Sequence, residues 1–271
     1  MNRLAQLLKL NQALLSEQPQ YREQAADFPL ELQVQWRLFR TLVNIREPKP
    51  IGKAFLELQD NLLKEMIAEK GITKIGSLIP LQENIYLWQG DITTLQVDGI
   101  VNAANSGMTG CYCPCHGCID NAIHTFAGVQ LRLECAAMMK EQGYPEPTGT
   151  AKLTKAYNLP CQSVLHTVGP IVTGQLSEND CALLASCYQS CLELAEQNHL
   201  KSLAFCCIST GEFHFPNQKA AEIAVKTVKG FLSTHTEISV VFNVFQDRDY
   251  EIYRKLLSPE AAKPAGAANR Q

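Results

Sequence analysis

The chain has 271 residues, 46% of them hydrophobic and 19% charged, with a formal net charge of −3. That apolar share supports a sizeable core and excludes a mostly disordered chain, and the length allows one large domain or a domain with a smaller appendage. The slightly acidic balance argues against nucleic acid as a partner. No apolar run approaches the ~18 residues that span a bilayer, so no membrane role is expected.

The opening segment MNRLAQLLKLNQALLSEQPQ does not fit a signal peptide, because Gln6, Lys9, Asn11 and Gln12 interrupt the apolar stretch one requires. Without secretion the 11 cysteines are expected to be reduced. Clustered cysteines in a reducing compartment point to metal binding or catalysis rather than disulfides. The expectation is a soluble cytoplasmic protein.

Residues 1–80 read as a helical extension. Leu4, Leu7, Leu8 and Leu15 recur at helical spacing, as do Leu30, Val34, Leu38 and Leu42, and then Phe55, Leu58, Leu62 and Met66. About three helices are expected, with Glu47-Pro48-Lys49-Pro50 as a loop and Gly71 as a stop. No catalytic cluster stands out here, so the extension reads as a cap on the main domain.

Residues 81–258 change rhythm and read as the main domain. Short β-rich runs at Ile85–Trp88, Gly99–Asn102, Ser163–Thr167, Leu203–Ile208 and Ile238–Val244 alternate with amphipathic stretches near 119–141, 179–198, 217–233 and 248–257. This alternation predicts an α/β layered domain with a mixed, largely parallel central sheet. Residues 259–271, rich in Ala and small polar residues, read as a flexible tail.

Open α/β sheets bind ligands beyond the carboxyl ends of their strands. Those positions hold Gly90-Asp91-Ile92-Thr93, Asn102 to Ser106, Val168-Gly169-Pro170, Ser209 to Pro216 and Phe245-Gln246-Asp247. The run from Ser209 to Pro216 has the make-up of a phosphate loop before a helix N-terminus, or of an ordinary glycine turn. No Lys follows in the GK[ST] sense, which excludes a nucleoside-triphosphatase loop. The unusual segment is Gly110-Cys111-Tyr112-Cys113-Pro114-Cys115-His116-Gly117-Cys118-Ile119-Asp120. Thiolate and imidazole are preferred zinc ligands. Three ligands with an open position would read as catalytic, and four as structural. Asp120 and His124 follow, one helical turn apart. Asp120 either caps its helix or faces the ligand.

Together these pieces resemble the macrodomain family, the ADP-ribose-binding α/β fold. The segments that carry the resemblance are GDIT, VNAANS, PTGTAKLTKAYNLP, VLHTVGP, STGEFHFP and FQDRDYEIY, in family order from about residue 84 to 258. More narrowly, GCYCPCHGCIDNAIH resembles the metal loop of the zinc-dependent macrodomains. The subgroup pattern is Cys, four residues, His, one residue, Cys, then Ile-Asp. It falls on Cys111, His116 and Cys118, with one zinc ion per chain, and leaves Cys113 and Cys115 outside.

The resemblance implies a three-layer fold and further roles. Asp91 would accept from the adenine amino group and the Ile92 amide would donate nearby. Asn102 and Asn105 would orient the distal ribose. Ser209, Thr210, Gly211, Glu212 and Phe213 would wrap the diphosphate, and Phe245 would lie near the adenine with Asp247 beside it. Asn105 and Asp120 would carry catalysis. The implied activity is removal of mono-ADP-ribose from a modified protein. The subgroup link is to sirtuins that modify a lipoyl-carrier protein resembling glycine-cleavage H protein. Other readings are a reader that binds ADP-ribose without turnover, a deacetylase of O-acetyl-ADP-ribose, and a zinc-stabilised scaffold.

Overall fold

The structure is a computed structural model, and it describes residues 1–258. The tail expected at 259–271 lies outside the described residues. Helix α1 (Arg3–Glu17) starts where the Asn2 side chain accepts from the Ala5 amide at 2.9 Å. A short α2 (Arg22–Ala26) precedes α3 (Leu32–Ile45) and α4 (Lys53–Lys70), and α4 stops at Gly71 with φ 87°. The proline-bearing segment between α3 and α4 is a loop, as its composition predicts. Leu7, Leu10 and Leu14 of α1 are buried with Leu38, Phe39 and Leu42 of α3 and Leu62 and Leu63 of α4. Burying each leucine stabilises by about 1.5–3 kcal/mol.

Then come β1 (Thr73–Lys74), β2 (Ile85–Gln89), β3 (Leu95–Gln96) and β4 (Gly99–Ala104). Helices α5 (Ile119–Ala127) and α6 (Val129–Gln142) lead to β5 (Ala151–Lys155) and β6 (Ser163–Val168). The rest is α7 (Glu178–Gln197), β7 (Ser202–Phe205), α8 (Asn217–Leu232), β8 (Ser239–Val244) and α9 (Asp247–Leu257). The main sheet has six strands in the order β2-β8-β7-β4-β6-β5. Every pairing is parallel except β5 with β6. Helices cover both faces, which is why β4, β7 and β8 are almost wholly apolar. The three-layer, largely parallel α/β fold expected from the sequence is therefore present. No helix among the described residues is long and apolar enough to cross a membrane.

Three local expectations need correction. The single helix expected near 119–141 is two, broken at Gly128 with φ 97°. A Cβ there would fall 2.6 Å from Gln59 Nε2, and Gln59 Oε1 accepts the Val129 amide at 3.1 Å. The strand expected to reach Ile208 ends at Phe205, because the chain already turns where the Thr210 amide donates to Cys207 O at 3.4 Å. The β5 strand has no counterpart in the sequence reading. It is an edge strand paired only with β6, and its Lys-rich, alternating residues carry a weak β signal.

Candidate active site

The parallel strands β2, β8, β7, β4 and β6 end on one rim, and the predicted rim segments follow them there. The Cys-rich loop runs from Gly110 to the start of α5. In it the ligand atoms of Cys111, His116 and Cys118 lie within 4.8 Å of one another. Cys111 Sγ and His116 Nδ1 are 3.6 Å apart. Cys113 is exposed, and the Cys115 thiol turns away, 3.4 Å from Thr41 Oγ1 and 3.5 Å from Arg37 O. Two thiols and one imidazole converging in a half-buried loop are a donor set that fits zinc. His116 Nε2 faces Glu212 Oε1 at 3.4 Å, which links the Cys-rich loop to the Ser209–Pro216 loop. A carboxylate on the far nitrogen of a metal histidine fixes the ring.

Asp120 sits in the first turn of α5, 4% exposed. It does not cap the helix: Cys118 occupies the N-cap, and its sulfur accepts the Asn121 amide at 3.4 Å. The Asp120 carboxylate instead points to β4. Asn102 Nδ2 donates to Oδ1 at 2.8 Å, and Asn105 Nδ2 lies 3.4 Å from Oδ2. Burial pushes the Asp120 carboxyl up to about 6, against the opposing Asn102 hydrogen bond and Arg132 charge. Asn102 is fully buried, so its effect on any ligand passes through Asp120. Asn105 is half-exposed and locked by a bond from the Gly107 amide at 2.9 Å and by its own donation to Gly110 O at 3.2 Å.

Beneath Asp120 lie His124, Cys135 and His166, a second cluster whose ligand atoms come within 4.8 Å of one another, wholly buried. His166 is spoken for: Nδ1 is 3.1 Å from Asn102 Nδ2 and Nε2 is 2.9 Å from Thr154 Oγ1. Burial drives its pKa down to about 3, so the ring is neutral. His124 Nε2 approaches Asp120 Oδ1 at 3.5 Å, and the ring packs on Gly110, whose Cβ would fall 2.8 Å from it.

Past the end of β2, Asp91 Oδ1 accepts the Thr93 amide at 3.0 Å and the Thr93 hydroxyl at 2.6 Å. Lys70 Nζ donates to Oδ2 at 2.8 Å and lies over the Phe126 ring, 3.5 Å from its centroid. Burial alone would raise the Asp91 pKa, but hydrogen bonds from Lys70 and Thr93 hold it below its ordinary value. Ile92 is buried beside it and Phe245 is 75% exposed, a free aromatic face.

The Ser209–Pro216 loop is tied internally: Phe215 N donates to Ser209 O at 2.9 Å, and His214 N to Gly211 O at 3.0 Å. The amides of Gly211, Glu212 and Phe213 meet no acceptor among the described residues. Free amides in a row are what an anion cradle requires. Thr210 Oγ1 is committed to Cys207 O at 3.0 Å, and Ser209 is 6% exposed, so both shape the loop. His214 is exposed and has φ 55°, a conformation that favours glycine.

The N-terminal helices, expected as a cap on the main domain, do more than cover it. They supply Lys70 to Asp91, and α3 supplies Arg40, Thr41 and Asn44 to the Cys-rich loop. No local motif marks these residues; the contacts span 21 to 81 positions of chain.

These features define a layered α/β protein that carries, at the strand ends, a loop with free amides, an exposed aromatic ring and a Cys/His cluster. The Macro domain family profile matches residues 101–224. A Treponema medium relative named "Protein-ADP-ribose hydrolase" is 56% identical over 250 residues, covering 90% of this chain and 95% of the relative. A Fusarium oxysporum protein named "Probable bifunctional ADP-ribose hydrolase/ADP-ribosyltransferase" is 42% identical over 247 residues, which is 83% of this chain and 41% of that protein. The solved Trypanosoma brucei macrodomain in complex with ADP-ribose superposes with a TM-score of 0.63 at 32% identity, covering 81% of this chain and 95% of that one. The chain belongs to the macrodomain family.

Proposed function

We propose that the protein is a zinc-dependent hydrolase that removes mono-ADP-ribose from modified protein. One juxtaposition carries the reading: the buried Asp120 carboxylate, anchored by Asn102 and Asn105, directly follows the loop in which Cys111, His116 and Cys118 converge. A module that only binds ADP-ribose needs neither. The hydrolase name of the Treponema medium relative supports the same reading.

The chain's residues divide the work. Asp91 accepts the adenine amino group, the Ile92 amide donates nearby, and Phe245 covers the ring. The amides of Gly211, Glu212 and Phe213 neutralise the diphosphate, with Ser209 and Thr210 holding the loop. Asn105 fixes the distal ribose. Asp120, held by Asn102, orients or deprotonates the water that attacks the anomeric carbon while charge develops on the sugar ring. Cys111, His116 and Cys118 would hold one zinc ion per chain, which would supply Lewis-acid polarisation.

The modified substrate is assigned to a lipoyl-carrier protein and the opposing activity to a sirtuin, both in the cytoplasm. The zinc-loop resemblance supports this assignment. The Fusarium oxysporum relative, whose name joins a hydrolase to an ADP-ribosyltransferase, supports the pairing of the two activities. The test is release of ADP-ribose from a mono-ADP-ribosylated carrier protein with and without a chelator. Release that stops with chelator and returns with zinc supports the reading. Tight ADP-ribose binding with no release would leave a reader.

A further inference from the structure

We infer that helix α3 is part of the metal centre, with Arg40 and Asn44 as the positioning residues that hold the Cys-rich loop in its ligating shape. The inference rests on the zinc reading above and adds residues that no loop motif contains. Arg40 Nη2 donates to the main-chain oxygen of His116 at 2.7 Å and to Asn121 Oδ1 at 2.7 Å, and Arg40 Nε reaches the same Oδ1 at 3.2 Å. Asn121 passes the constraint on. Its side chain donates to Cys113 O at 3.0 Å, and its amide donates to Cys118 Sγ at 3.4 Å. One guanidinium thus fixes the backbone of one ligand and the helix start that carries another.

Asn44, 1% exposed, makes the second anchor. Its Oδ1 accepts the Cys115 amide at 2.9 Å, and its Nδ2 donates to Thr125 Oγ1 at 3.1 Å. Cys115 has φ 53°, a left-handed conformation that a non-glycine residue keeps only when its surroundings impose it. The Asn44 bond and the Thr41 contact on the Cys115 thiol impose it here. This accounts for Cys115 as a buttress facing α3 rather than a ligand.

The helix is itself locked. Arg132 Nη1, from α6, donates to the main-chain oxygens of Val43, Asn44 and Arg46 at 3.1, 2.6 and 2.8 Å. These are the unpaired acceptors at the α3 C-terminus, where a cation is favoured. The loop is short, open on its solvent side and contains Gly110 and Gly117. Three ligands drawn from such a loop hold a metal only if the loop is prevented from opening, and outer contacts of this kind commonly carry 10–100-fold in metal affinity.

The experiment compares the full-length protein with Arg40→Ala, Arg40→Lys and Asn44→Ala. Zinc affinity is measured by competition with a chromophoric chelator. ADP affinity is measured on the zinc-free proteins, because ADP reaches the adenine and diphosphate subsites without the metal loop. Arg40→Ala and Asn44→Ala are expected to weaken zinc by roughly 10–100-fold while ADP affinity stays within about two-fold. Arg40→Lys, which keeps the charge and loses the fork, is expected to fall between. A variant that merely unfolds would lose ADP as well, and Arg40→Lys then decides the matter. Variants that match the wild type within about two-fold in zinc affinity would overturn the inference alone. A wild-type chain that takes up no zinc would overturn the metal reading beneath it.

Discussion

Lys70 Nζ and Asp91 Oδ2 meet at 2.8 Å, so the last turn of an N-terminal helix grips the carboxylate assigned to the adenine. Asp91→Ala is expected to weaken ADP-ribose binding by about 1.5–3 kcal/mol, the range for a charge-assisted hydrogen bond, without changing zinc content. Lys70→Met keeps the acid but removes a partner that depresses its pKa. In that variant the Asp91 pKa rises, so binding should weaken at higher pH than in the wild type as the solution is acidified. Calorimetry between about pH 4 and 7 separates the two curves; identical curves would remove Lys70 from the account.

The convergence of Cys111, His116 and Cys118 sets an order among the loop cysteines. Alanine at any of those three positions should lose zinc, measured as metal per chain after gel filtration, because a three-ligand site cannot spare one. Cys113→Ala should retain it, since that thiol is exposed and outside the cluster. Cys115→Ala should retain zinc with a lowered melting temperature, because its thiol faces α3. Loss of zinc in Cys113→Ala but not in Cys111→Ala would reverse the ligand assignment.

Acid stability follows from the buried imidazoles under the cleft. Burial holds His166 at about 3 and keeps His124 well below its ordinary value. Each binds a proton in the unfolded chain near pH 6.5 but not in the fold, so each removes up to about 1.4 kcal/mol per pH unit as pH falls from there. Asp120 acts with the opposite sign: its folded pKa of about 6 exceeds its unfolded value, so the fold gains proton affinity between about pH 6 and 4. One histidine's effect is thereby offset and the other's remains. Urea unfolding of the zinc-free protein should show stability declining between about pH 6 and 4, and His166→Asn should flatten that slope. A slope unaltered in His166→Asn would contradict this reading.

Much of the fold could be read from the chain because its signals are local. Val-rich runs such as Ser239–Val244 and turn residues at their ends are confined to a few positions. The rim is readable for the same reason: Asp91, Asn105 and Ser209–Phe213 each directly follow a β-rich run. The parts that escaped are those decided by packing. Gly128 ends a helix because Gln59, far away in α4, occupies the space a side chain would need. Asn102 looks like Asn105 in the sequence, yet its place on the buried β4 strand turns it towards Asp120 and His166 rather than the cleft. Arg40, Asn44 and Lys70 sit on ordinary amphipathic helices, where a polar residue carries no mark in the sequence of what it will meet.

The most direct measurement is made on one sample of Asp120→Ala. Turnover of mono-ADP-ribosylated protein, affinity for ADP-ribose and melting temperature are recorded together. The carboxylate touches Asn102 and Asn105 and leaves helix capping to Cys118, so in the proposed mechanism its main contribution falls in the transition state. Turnover should drop by roughly 10²–10⁴-fold, the range for a general base, with ADP-ribose affinity moving far less and zinc retained. Asn105→Ala should show the same pattern at smaller size. Near-normal turnover with a lowered melting temperature would contradict the account, reducing Asp120 to a structural acid and leaving the metal loop to carry the chemistry without it.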